Sequence, residues 1–66
     1  MDYIDITVHH DYIEVDIQGK VRVFDKAQHG LVYTDNDRVK VVQIIDMLNT
    51  EVVADYPYSV CVITYI

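Results

Sequence analysis

Twelve valines and eight isoleucines stand against two leucines and two alanines in this chain of 66 residues. That imbalance restricts the fold more than any motif does. Branching at Cβ limits χ1 against the preceding helical turn and suits the pleated sheet, so the chain is read as mostly β. At this length residues 1–66 make one small domain, which buries only about 60% of the surface its unfolded chain exposes. A second copy or a partner would therefore add to a thin margin of stability.

Alternation locates the first strands. In "YIDITV" Ile4, Ile6 and Val8 alternate with Asp5 and Thr7, the period of a strand with one buried face. "YIEV" places Ile13 and Val15 inward, and "KVRVF" places Val21 and Val23 inward. A three-residue loop, Ile17-Gln18-Gly19, then keeps the faces consistent, with Gly19 at the left-handed last position. It sets Val15 opposite Val21 and Ile13 opposite Val23, and on the other face Glu14 opposite Arg22, Asp16 opposite Lys20 and Tyr12 opposite Phe24. The first turn is open between a four-residue loop "HHDY", pairing Asp5 with Asp16, and a two-residue loop "HH", pairing Asp5 with Glu14. Either way Asp5 gains an acidic neighbour.

Residues 25–34 read as a connection in which "LVY" adds at most a short strand. "TDND" resembles a capping box, with Thr34 followed three residues later by Asp37. Beyond it Val41, Ile44, Ile45 and Leu48 recur at helical spacing, which predicts a helix over about residues 35–49. "TEVVADY" is open between helix, loop and a strand turning at Tyr56-Pro57-Tyr58; local signals do not choose. "YSVCVITYI" is apolar on both faces and reads as a final strand in the same sheet. The expected fold is α+β: a small antiparallel sheet, made of a three-stranded N-terminal meander plus the C-terminal strand, with one helix packed on its Ile/Val face.

Charge distribution narrows function. The formal charge is −6, and all five bases lie between Lys20 and Lys40. Residues 1–19 carry five acids and no Lys or Arg. A chain acidic at both ends repels phosphate, which argues against direct binding to nucleic acid. Cys61 is the single cysteine, so no internal disulfide or Cys-rich zinc pattern can form. With no basic-then-apolar leader and no apolar run near 18 residues, neither export nor a membrane partner is expected, and the chain is placed in the cytoplasm, that of a host if phage-encoded.

No residue pattern supports catalysis. Ser59 and Cys61 have no adjacent base, and no phosphate-binding glycine loop exists, so neither an enzyme nor a cofactor is expected. His9, His10 and Asp11, with His29 a distant candidate, are read as turn residues, because a zinc site needs further ligands. What remains is recognition. Asp2, Asp5, Asp11, Glu14 and Asp16 form the acidic candidates, and Tyr3, Tyr12, Phe24 and Tyr65 the aromatic ones, since Tyr contributes large interface area at low entropic cost. The expected function is non-enzymatic: a small acidic protein-binding module, an inhibitor of the kind phages and mobile elements encode. It would occlude a host protein, a nucleic-acid-binding one if the acids act as a nucleic-acid mimic. The alternative is a homo-oligomeric structural protein, a homodimer at its simplest, and behind it a histidine metal site or a small enzyme.

Overall fold

The computed structural model describes residues 3–66. Seven strands follow one another: β1 (Tyr3–Val8), β2 (Tyr12–Ile17), β3 (Lys20–Asp25), β4 (His29–Asp35), β5 (Lys40–Asp46), β6 (Glu51–Pro57) and β7 (Val60–Tyr65). They form a four-stranded sheet in the order β3-β2-β1-β7 and a three-stranded sheet in the order β4-β5-β6. No helix is present among the described residues, so none is long and apolar enough to cross a membrane. The α+β expectation is corrected to an all-β fold.

The physical reason lies in residues 40–46, "KVVQIID". Val41, Ile44, Ile45 and Leu48 fit a helical period, but Val42, Ile44 and Asp46 fit the period of a strand equally well. Val41, Val42, Ile44 and Ile45 are branched at Cβ and fall on both faces of a strand, whose pleated surface packs such side chains better than a helix does. The supposed capping box is a hairpin turn. Asn36 Oδ1 accepts hydrogen bonds from the backbone N–H groups of Arg38 (2.9 Å) and Val39 (2.8 Å), and Asn36 N–H donates to the Val39 carbonyl. A short polar side chain bonded to its own backbone closes a turn here instead of starting a helix. Asp35 then faces Lys40, and β4 pairs with β5. β6 follows antiparallel, with Val53 the extra residue of a bulge opposite the Ile44/Ile45 step.

The second sheet takes the place expected of the helix. Ile4, Ile6, Val8, Ile13, Val15 and Phe24 from the first sheet meet Val42, Ile44, Ala54 and Tyr56 from the second, with Tyr58 beside them. Tyr58 is tied down by its hydroxyl, which donates to the Thr34 carbonyl at 3.1 Å, and by its ring, stacked on Tyr33 at 5.8 Å between centroids.

The β2–β3 hairpin also departs from the expected register. Ile17 pairs with Lys20, Val15 with Arg22, Glu14 with Val23 and Ile13 with Phe24. The loop is the two residues Gln18 and Gly19, both left-handed, with φ of 54° and 82°. Positive φ at both central positions matches the right-handed twist of the flanking strands. The choice of register follows from packing: it buries Phe24, the largest apolar side chain of β3, and leaves Val21 and Val23 outside. Glu14–Arg22 and Asp16–Lys20 are therefore not cross-strand pairs.

The first turn takes the four-residue form, with Val8 opposite Ile13 and Asp5 opposite Asp16. β7 runs parallel to β1, from Tyr3 opposite Val60 to Val8 opposite Tyr65. The expected all-antiparallel sheet is thus mixed. β7 stands at the sheet edge with Cys61 and Ile63 packed against the core and Val60 and Val62 exposed. Its two-sided apolar character leaves Val60 and Val62 on an outer face that no described residue covers.

Candidate functional site

Strand alternation and the observed registers build one continuous outer face on the four-stranded sheet. Across one row stand Val21, Asp16, Asp5 and Val62; across the next, Val23, Glu14, Thr7 and Thr64. Tyr3 lies beside Val60 at one end, and Tyr12 beside Asp25 at the other. Three carboxylates occupy the centre of this face. Valines flank them on the β3 side, at 52% and 59% exposure for Val21 and Val23, and Val60 (52%) and Val62 (40%) flank them on the β7 side.

No Lys or Arg occupies an outward position on these four strands. Lys20 and Arg22 belong to the opposite face of β3, and Lys26 Nζ donates to the His9 carbonyl at 3.0 Å. Among the described residues the one basic side chain in contact with a carboxylate is His9, whose Nε2 is hydrogen-bonded to Glu14 Oε1 at 2.9 Å. His9 also stacks on Tyr12, 4.0 Å between centroids, which holds both rings against the rim of the acidic patch. Asp16 Oδ1 accepts the Gly19 N–H at 3.0 Å, so the turn fixes the Asp16 side chain. Like charges placed directly opposite on neighbouring strands, as Asp5 and Asp16 are, destabilise by a few tenths to about 1 kcal/mol. The fold carries that cost with Val21 and Val62, and no Lys or Arg, beside the two carboxylates.

The sequence candidates divide accordingly. Asp5, Glu14, Asp16, Tyr3 and Tyr12 come together on the outer face. Asp11 is exposed in the β1–β2 turn, adjoining that face at its His9 end. Phe24 is buried in the core, because the two-residue turn reverses the side that β3 presents. Tyr65 is exposed but shares the parity of Cys61 and Ile63, on the side away from the acids. Asp2 lies outside the described residues. Val21, Val23, Val60 and Val62 are members that sequence reasoning missed. Parity assigned Val21 and Val23 to the core, and the signal that could have placed them outside was Phe24, the bulkier residue of opposite parity.

Burial pushes the Cys61 thiol above its usual range, and the charges of Asp5 and Asp35 raise it further, so the thiol stays protonated and weakly nucleophilic. Among the described residues no three His, Cys, Asp or Glu side chains converge where a metal ion could sit. His10 is exposed, and His29 Nδ1 donates to the Asp25 carbonyl at 3.1 Å. Comparisons with models of protein families, with curated proteins and with solved structures found no match.

Proposed function

We propose that this chain is a non-enzymatic protein-binding module whose outer four-stranded face occludes a basic surface on a partner protein. The observation that carries the reading is the cation-free row Asp16–Asp5 with Glu14 beside it, bordered on both sides by exposed valines and by Tyr3. Interfaces commonly combine an apolar, aromatic contact area with charge that selects the partner and speeds encounter. Carboxylates spaced about 5 Å across strands and about 7 Å along them present negative charge on the few-ångström scale of a nucleic-acid backbone. A partner that normally holds phosphates fits such a face, and its occlusion would be inhibitory, in the cytoplasm of the cell that makes it.

Asp5→Lys tests this without endangering the fold, because it turns the Asp5–Asp16 opposition into an opposite-charge pair, worth a few tenths to about 1 kcal/mol of stabilisation. Affinity capture from the native host's lysate with wild-type protein should retain a nucleic-acid-binding protein that free DNA or RNA displaces. Asp5→Lys should lose that protein while melting at the same or a higher temperature. Equal capture by the two forms would rule out the acidic face as the contact.

A second reading, self-assembly, is favoured by the position of β7. Its outer edge has no strand beside it among the described residues, and an edge of this kind can pair across a two-fold axis. Light scattering at micromolar concentration decides: a dimer mass supports edge pairing, and a mass of one chain removes it.

A further inference from the structure

On the opposite side of the four-stranded sheet, where the two sheets part near the β2–β3 turn, lies a cleft of about 280 Å³ lined by Val15, Ile17, Gln18, Lys20, Arg22 and Tyr56. We propose that this cleft binds a small organic carboxylate with an apolar body. The site is independent of the acidic face and of its partner.

Two of the five bases of a chain with net charge −6 line this one cleft, and neither has a carboxylate within ion-pair distance among the described residues. Arg22 is held from two sides. Its Nη1 donates to the Tyr56 hydroxyl at 3.2 Å, and its guanidinium carbon lies 4.9 Å from the centroid of the Phe24 ring. That leaves most of the guanidinium N–H groups free in a planar fork, the geometry that recognises a carboxylate through two parallel hydrogen bonds. Tyr56 is buried. Because its hydroxyl oxygen accepts from Arg22, its proton remains available to an anion at the same point.

Val15 and Ile17 provide the apolar surface, and Lys20, paired opposite Ile17, adds a second positive charge at the rim. The volume accommodates roughly nine water-sized groups, which matches an aromatic or short branched carboxylate and exceeds what a bare inorganic anion would fill. The β2–β3 register creates this site: had β3 presented its other face, both bases would have neutralised Glu14 and Asp16 outside.

Phenylacetate titrated into the isotope-labelled full chain and followed by amide chemical shifts is the direct test. The expected result is a saturable shift confined to Ile17, Lys20, Arg22, Tyr56 and their neighbours, with phenylacetamide and inorganic phosphate each binding at least tenfold more weakly. Arg22→Gln should weaken phenylacetate at least tenfold. Because that change also removes the contacts to Tyr56 and Phe24, Lys20→Gln serves as the second variant; its side chain is exposed, and it should weaken binding severalfold with an unchanged melting temperature. No saturation, equal binding of the neutral amide or of phosphate, or full affinity in both variants would overturn the assignment.

Discussion

Ile6→Ala is expected to remove about 3 to 4 kcal/mol of stability, a third or more of what a domain of this length has. Ile6 is fully buried at the middle of β1, opposite Val15 on one side and Ile63 on the other. It is thus bounded by sheet neighbours laterally and by the Val42 and Ile44 layer of the second sheet above. Close-packed surroundings of this kind relax little when methylenes are removed, so a cavity term adds to the lost transfer energy. A domain of this length has roughly 3 to 10 kcal/mol in total. Urea denaturation should show the midpoint falling by a third or more, whereas Val21→Ala, on the exposed outer face, should stay within about 0.5 kcal/mol of wild type. Similar midpoints for the two variants would mean that the faces of the first sheet are misassigned.

The second large effect concerns a carboxylate inside the fold. Asp46, at the end of β5, is 5% exposed and organises the loop that leads to β6. Its Oδ2 accepts from Gln28 Nε2 at 3.1 Å and Asn49 Nδ2 at 3.0 Å; its Oδ1 accepts from the backbone N–H groups of Leu48 and Asn49 at 3.0 and 3.2 Å. Burial by itself would raise the Asp46 pKa. The hydrogen bonds from Gln28, Asn49 and the Leu48 backbone outweigh it and hold the carboxyl below the usual range.

A carboxyl depressed in the folded state stabilises the fold above its unfolded pKa, and that stabilisation disappears as pH falls through the folded value. Asp46→Asn presents an amide donor to groups that are all donors. Its melting temperature at neutral pH should drop by on the order of 5 to 10 °C. The gap to wild type should narrow as the pH is taken below about 4. A gap that stays constant on acidification would show that ionised Asp46 is not what holds the loop.

Local pattern was enough for some elements and not for others. "YIDITV" and "YIEVDI" alternate cleanly, with polar residues at every second position, so only one face of β1 and β2 could go inward. The acidic members of the candidate site, Asp5, Glu14 and Asp16, share a face for the same reason. β3 was different: Val21 and Val23 have one parity and Phe24 the other, with Arg22 able to cover apolar surface by its stem, and both turn lengths were chemically sound. In β5 the run Val41, Val42, Gln43, Ile44, Ile45 satisfies the periods of 2 and 3.6 alike. Nothing local marks Asp46 as buried either, since the groups that satisfy it come from Gln28 and from the loop after it.

Sequence by itself determined that this is a strand-forming chain, acid-rich toward its N-terminus, with bases confined to residues 20–40. Tertiary structure decided which way the ambiguous strands turn, that a second sheet covers the first, and that β7 joins β1 in parallel at an edge. The reason is that each ambiguous strand has two faces apolar enough to bury. Only closure of the two sheets over Phe24, Val42 and Ile44 makes one face more favourable than the other, and that closure separates the bases of β3 from the carboxylates of β1 and β2.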